Sequence, residues 1–166
     1  MVLRVFWALV AVGLLIPAKF IFPGASAKAG VQETKLAKHK STSKAAKEIT
    51  ALVAKSEKSW NKGDLDAFLG DYLRSKEVTY VSNGTVKRGY DAIREHYLSR
   101  YGNNKASMGQ LFLTELEITD LSESHVLCIG KFTVVHHSHV PIYGRFSLIF
   151  VRTKAGWKII YDHSSQ

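Results

Sequence analysis

The chain has 166 residues, of which 46% are hydrophobic and 11% aromatic, so it is long enough for one domain with a substantial core. Its formal net charge of +9 is concentrated near the N-terminus: residues 28–62 carry nine Lys and three Glu, whereas residues 63–166 carry twelve basic and eleven acidic groups. This distribution argues against a nucleic-acid-binding domain, which would spread basic groups over its folded surface. The single cysteine, Cys128, excludes a disulfide within the chain and is typical of a small apolar core residue.

The N-terminus has the organisation of a secretory signal peptide. Arg4 precedes an apolar run, residues 5–17, which is too short to span a bilayer but typical of a signal-peptide core. Ala25-Ser26-Ala27 then supplies a small-x-small cleavage site. We therefore predict that residues 1–27 are a signal peptide and that the protein is exported, to the periplasm or the exterior. An uncleaved N-terminal membrane anchor is the alternative.

Residues 28–44 are rich in Lys, Ser and Thr and poor in large apolar groups. Such a composition cannot bury enough surface to offset the entropy of ordering, so it predicts a flexible basic linker. The positive charge of this linker would allow it to contact an acidic membrane surface. The folded domain is predicted to occupy residues 45–166.

Two helices are predicted at the start of the domain. The first has an apolar stripe at helical spacing, formed by Ile49, Leu52, Val53, Ser56 and Trp60. Gly63 suits the C-terminal cap of this helix, and Asp64 suits the N-terminal cap of the next. The second helix would present one face made of Leu65, Phe68, Leu69 and Tyr72.

A short hairpin and a third helix are predicted next. Residues 78–82 form a strand-like run, and Asn83-Gly84 is a strong tight-turn signal. The third helix opens at Gly89, and of its neighbouring residues His96 and Tyr97 we expect Tyr97 to face inward.

The remainder of the chain is predicted to be sheet. Residues 110–119, 125–137, 143–152 and 157–163 are runs of β-branched and aromatic residues separated by turn signals. Helices followed by an antiparallel meander indicate an α+β fold, in which a curved sheet wraps around the first helix and encloses a pocket.

The C-terminal Asp162-His163-Ser164 contains the residue types of a hydrolytic triad. Neighbouring residues on a strand point to opposite faces, so three consecutive residues cannot converge and the triad is excluded. Strict alternation would place His163 on the face of Trp157, Ile159 and Tyr161, at the lip of the pocket. His163 is then either a structural residue or an acid/base at the pocket rim.

Two further polar groups lie on the predicted strands. His137 and His139 share one strand face and could supply two metal ligands, but no third ligand converges on them, and we predict no metal site and no cofactor. Arg145 would need an acidic partner or an anionic ligand if it faced inward, and would be a surface charge if it faced outward.

Four segments resemble the SnoaL-like branch of the nuclear transport factor 2-like superfamily. They are WNKGDLDAF at 60–68, GYDAIREHY at 89–97, GRFSLIFV at 144–151 and WKIIYDHSS at 157–165. Small bacterial proteins of this branch are related to the association domain of calcium/calmodulin-dependent kinase II. The resemblance implies a cone-shaped, cystatin-like α+β fold with N-terminal helices packed in a curved antiparallel sheet, usually dimeric through the sheet.

The resemblance also implies where a site would lie. Arg145, Ser147 and His163 would be near the cavity, which the aromatic side chains of Trp60, Tyr72, Tyr80 and Tyr97 would line. Members that act on carbanions use a pocket carboxylate, and no acidic residue occupies an obviously equivalent strand position here, so that chemistry is not expected.

The leading hypothesis is an exported domain that binds a small apolar or amphipathic molecule, as a homodimer. In the first alternative it is a weak isomerase, lyase or hydrolase that uses His163 and Arg145 with tyrosine donors. In the second it is a non-catalytic assembly module with a filled cavity.

Overall fold

The computed structural model describes residues 43–102, 104–136 and 140–166. The predicted signal peptide, nearly all of the predicted linker, and His137 and His139 lie outside the described residues. Within the described part of the chain, no helix is long and apolar enough to cross a membrane.

The described elements follow the predicted order of two helices, a hairpin, a third helix and four strands, with one short helix in addition. The elements in chain order are α1 (Lys44–Lys62), α2 (Leu65–Leu69), β1 (Thr79–Ser82), β2 (Thr85–Arg88), α3 (Tyr90–Tyr101), α4 (Lys105–Met108), β3 (Gln110–Asp120), β4 (His125–Val135), β5 (Ile142–Thr153) and β6 (Gly156–Ser165). The predicted α+β class is confirmed. Helix α4 was not predicted, because a helix of four residues is too short to show a periodic apolar pattern in the sequence.

The first helix begins and ends where its capping residues require. The Ser43 hydroxyl accepts a hydrogen bond from the Ala46 amide at 3.0 Å, so the helix begins one residue before the predicted boundary. Gly63 ends it in the left-handed conformation, with φ of 79°, and its amide donates to the carbonyls of the last turn.

All six strands form one curved sheet in the order β2-β1-β6-β5-β4-β3. The pairs are antiparallel except for β1 and β6, which run parallel, so the sheet is mixed rather than purely antiparallel. The parallel pairing attaches the short β1–β2 hairpin to the C-terminal strand and places Tyr80 beside Asp162.

Side chains of α1 hold this helix against β3, which is an edge strand. The Asn61 amide group donates to the Leu111 carbonyl at 2.8 Å and accepts from the Leu111 amide at 2.7 Å, and the Glu57 carboxylate accepts from the Leu113 amide at 2.7 Å. These bonds satisfy backbone groups that an edge strand would otherwise leave unpaired. They also fix the distance between helix and sheet, and therefore the width of the space between them.

Candidate functional site

A cavity of about 370 Å³ lies between the helices and the inner face of the sheet. One wall is aromatic and consists of Trp60, Phe68, Tyr72, Tyr80, Tyr97 and Tyr101. The sheet supplies an apolar wall that includes Leu111, Val134, Phe146, Leu148, Phe150 and Ile159. The size and the apolar lining are those of a small-molecule site.

The rings of the aromatic wall pack closely against one another, with Trp60 edge to face against its neighbours. The ring centroid of Trp60 lies 5.0 Å from that of Phe68 and 4.9 Å from that of Tyr101, both in T-shaped geometry. The Trp60 indole donates a hydrogen bond to the Met108 carbonyl at 3.1 Å, so its polar edge is satisfied. The wall is therefore preformed.

Asp162 is the one acidic side chain among the described residues that line the cavity. It is 3% exposed. The Tyr72 hydroxyl donates to its Oδ2 at 2.5 Å, and the Ser164 hydroxyl donates to its Oδ1 at 2.8 Å. A carboxyl group is thus held in a fixed orientation within an apolar enclosure.

Burial raises the pKa of Asp162 to about 6, although the hydrogen bonds from Tyr72 and Ser164 and the charge of His163 oppose the rise. Burial, followed by the negative charge of Asp162, also raises the pKa of both Tyr72 and Tyr97 well above the usual range, so these phenols stay protonated. A carboxyl group with this pKa can accept or donate a proton near neutral pH.

The cavity opens to solvent beside the β1–β2 turn and the end of α3. Exposed Asn83, Thr85 and Arg100 contribute to its lining there, with half-buried Lys87 and His96. Tyr97 is buried and faces inward as predicted, while His96 is half-buried and also contributes to the lining at the mouth. The mouth is therefore polar and basic, while the interior is aromatic and apolar.

The predicted orientation of His163 is wrong because β6 contains a β-bulge. Ile159 pairs with Phe150 and Tyr161 pairs with Ile149, so Ile160 is an extra residue in β6. The bulge reverses the alternation, so that Asp162, rather than His163, shares the inner face with Trp157 and Ile159. His163 is exposed and does not line the cavity.

Arg145 and Ser147 lie on the outer face of β5, because the inward positions of this strand are the even-numbered ones such as Phe146 and Leu148. The Arg145 side chain is 58% exposed and forms an ion pair with Glu115 at 2.6 Å. The expectation that Arg145, Ser147 and His163 lie near the cavity is therefore wrong, and the predicted acid/base role of His163 loses its geometric basis.

The predicted ligand-binding residues Trp60, Tyr72, Tyr80 and Tyr97 all lie in the cavity lining. That they bind a ligand remains a prediction. The sequence reasoning missed Asp162, and its expectation of no pocket carboxylate is wrong. The available signal was the run Ile159, Ile160 and Tyr161, in which residues of both parities are apolar, so that alternation alone does not fix which face is inward.

The described part of the chain offers neither a metal site nor a reactive thiol. Among the described residues, no cluster of three or more His, Cys, Asp or Glu side chains could hold a metal ion. Cys128 is fully buried, and burial raises the pKa of its thiol to about 12, which keeps it protonated and unreactive.

Comparison with known proteins supports the fold and the family. A protein of unknown function from Shewanella oneidensis MR-1, described as NTF-2 like, is 30% identical, with a TM-score of 0.68 over 72% of this chain and 98% of that one. An NTF2-like superfamily protein from Salmonella enterica is 21% identical, with a TM-score of 0.60 over 75% of this chain and 92% of that one. A Xanthomonas campestris protein named for a calcium/calmodulin dependent protein kinase II association domain is 15% identical, with a TM-score of 0.57 over 72% and 87% of the two chains.

No curated protein matches the chain in sequence. The family model for the SnoaL-like domain matches residues 49–166, which include all of the described elements from the second turn of α1 onward. The fold resemblance predicted from the four sequence segments is therefore confirmed, and the chain belongs to the SnoaL-like domain family.

Proposed function

We propose that the domain binds a small apolar or amphipathic molecule inside its cone, with Asp162 as the polar anchor. The observation that carries the proposal is the cavity of about 370 Å³, whose mainly aromatic and aliphatic interior holds one buried carboxyl group among the described lining residues. A space of this size, left open beside closely packed aromatic side chains, argues against a module whose cavity is filled by its own side chains.

A cavity-blocking variant tests this proposal. Val134 lines the cavity and is 7% exposed, whereas its neighbour Val135 lies on the opposite face of β4 and is 38% exposed. We expect Val134→Phe to weaken binding of the neutral fluorescent probe N-phenyl-1-naphthylamine by at least about tenfold, because the larger ring occupies the space. Val135→Phe makes the same chemical change outside the cavity and should leave the dissociation constant unchanged. Equal binding by both variants and the native protein would contradict the proposal.

A second candidate function is proton transfer at carbon, favoured by the position of Asp162. A carboxyl group with a pKa near 6 beside a tyrosine hydroxyl can act as a general base toward the α-proton of a bound ketone. This differs from the sequence-based hypothesis, which assigned the acid/base role to His163.

Exchange of α-protons for deuterium in 2-tetralone, an aromatic ketone that is small enough for the cavity, provides the test. The native protein should accelerate exchange in deuterated water, as followed by proton NMR, and Asp162→Asn should abolish the acceleration while still binding N-phenyl-1-naphthylamine. If Asp162→Asn retains the exchange rate of the native protein, Asp162 is not the general base.

Export and dimerisation remain proposals from the sequence. Tyr143 is 66% exposed on the outer face of β5, near Arg145 and Ser147, and this face would form the dimer contact. Native mass spectrometry of protein from its own host should give twice the mass of a chain that begins at Lys28. A mass of one chain would contradict the dimer, and an N-terminus at Met1 would contradict cleavage.

A further inference from the structure

We propose that the molecule bound in the cavity is an amphipathic anion, with its acidic head group at the mouth and its apolar body inside. This inference rests on the proposed binding function and names the chemical class of the ligand. It follows from three side chains, Lys87, His96 and Arg100, which we call the basic rim.

The basic rim is assembled from two elements around the tyrosines at the mouth. Lys87 is the antiparallel register partner of Tyr80, so the two side chains lie on the same face of the hairpin. The His96 ring centroid lies 5.4 Å from that of Tyr80. Arg100 follows His96 by one helical turn, and its guanidinium lies over the Tyr101 ring at 5.5 Å and donates to the Tyr101 hydroxyl at 3.1 Å.

The charges of the rim act on one another. After burial, the positive charges of Lys87 and Arg100 are what lower the pKa of His96. The described residues that line the cavity offer no acidic side chain to offset these charges except Asp162, which is buried in the interior. An anionic head group would relieve the repulsion and accept charge-assisted hydrogen bonds from the rim.

The strand register gives the separation of the backbone positions that carry Lys87 and Asp162. Lys87, Tyr80 and Asp162 lie side by side on β2, β1 and β6. Two strand spacings separate the backbone of Lys87 from that of Asp162 by roughly 10 Å. A ligand with an acid group at one end and a hydrogen-bonding group at the other would reach from the basic rim across the aromatic wall to Asp162.

Two probes that share one apolar body test the inference. They are 8-anilinonaphthalene-1-sulfonate, which is anionic, and N-phenyl-1-naphthylamine, which is the same body without the sulfonate. At low ionic strength we expect the native protein to bind the sulfonate at least about tenfold more tightly. Added salt should weaken binding of the sulfonate but not of the neutral probe.

Variants then assign this preference to the rim. The double substitution Lys87→Gln with Arg100→Gln should remove the preference for the sulfonate and leave the neutral probe bound as before, which also shows that the variant is folded. Arg88→Gln is the matched control, since Arg88 neighbours Lys87 on β2 and does not line the cavity. If the double variant fails to fold, Lys87→Gln alone and the salt dependence of the native protein still decide the question.

The inference would be overturned if the neutral probe bound as tightly as the sulfonate. It would also be overturned if the preference for the sulfonate survived the double substitution, or if Arg88→Gln removed that preference to the same extent. Failure of both probes to bind would instead contradict the proposed function itself. Displacement by decanoate, decyl phosphate and decanol then distinguishes carboxylate from phosphate head groups. At least one of the two acids should displace the sulfonate probe about tenfold better than the alcohol.

Discussion

The ionisation of Asp162 is set by its immediate surroundings. Burial removes water from the carboxylate, and the hydroxyls of Tyr72 and Ser164 replace only part of that hydration. The group therefore gives up a proton less readily than an ordinary carboxyl, while remaining mostly ionised above a pH of about 6. Both protonation states are accessible to it near neutral pH.

This pKa predicts how stability depends on pH. The folded protein holds the Asp162 proton more tightly than the unfolded chain does. The contribution of this group to the free energy of unfolding is therefore present in full below pH 3.8 and is lost as the pH rises to about 6. At 1.36 kcal/mol per pKa unit, the loss is on the order of 3 kcal/mol. We expect Asp162→Asn, which cannot ionise, to become more stable relative to the native protein over this interval.

Urea unfolding of both proteins at several pH values between 4 and 7.5 would measure the difference. Groups other than Asp162 titrate equally in the two proteins, so the difference between their free energies of unfolding isolates this residue. A difference that stays constant with pH would show that Asp162 is not buried as a titrating group.

Sequence reasoning at this scale identified residues but not the directions of their side chains. The family resemblance implies that the aromatic side chains of Trp60, Tyr72, Tyr80 and Tyr97 line the cavity, and they do line it. Asp162 faces the cavity and His163 faces outward, the reverse of the prediction, because a β-bulge adds one residue to β6. No Gly or Pro marks that bulge, so the reversal could not be predicted from local sequence.

The elements follow the capping and turn signals closely. The strands predicted at 110–119 and 143–152 are Gln110–Asp120 and Ile142–Thr153 in the structure, because their limits are set by local turn residues. Tyr72 is an exception. It was predicted to lie on one face of the second helix, but α2 ends at Leu69. Its position is set instead by a parallel β-bridge to Ile159.

The parallel pairing of β1 with β6 could not be predicted, because it joins segments about eighty residues apart in the chain without a local signal. It has a large consequence for the site. It brings Tyr80 and the basic rim of the hairpin to the strand that carries Asp162.

At the element scale, the end of α1 should be sensitive to side-chain size. Gly63 has φ of 79°, and a Cβ there would lie 2.6 Å from the backbone nitrogen of Lys105. We expect Gly63→Ala to cost at least about 2 kcal/mol, from the left-handed conformation together with this clash. Gly84 has φ of 72° with no neighbour within 4 Å, so Gly84→Ala carries only the conformational cost of about 1 kcal/mol.

Chemical denaturation of both variants would measure the two costs. A smaller or equal loss for Gly63→Ala would mean that α4 does not pack against the end of α1 as tightly as the structure indicates.

At the scale of the whole molecule, the fold separates two faces of one sheet. The inner face meets the helices and carries the cavity, whereas the outer face carries the polar and charged groups that the sequence had suggested for catalysis, among them Arg145 and His163. The sequence of β5 does not by itself show which face is inward, because apolar residues such as Phe150 and Val151 occur at both parities. The class of fold was therefore predictable, and the identity of the inward polar group was not.

Binding of a small molecule in the cone against Asp162 is the central proposal. It is tested most directly by carbon NMR of protein labelled at the aspartate carboxyl groups, titrated with N-phenyl-1-naphthylamine. We predict a saturable shift of the Asp162 carboxyl signal and a further rise in the pKa of Asp162, because the bound ring displaces water from the cavity. The carboxyl signal of exposed Asp66 should not move during the titration. Saturable fluorescence of the probe with no change at Asp162 would place the probe elsewhere and contradict the claim.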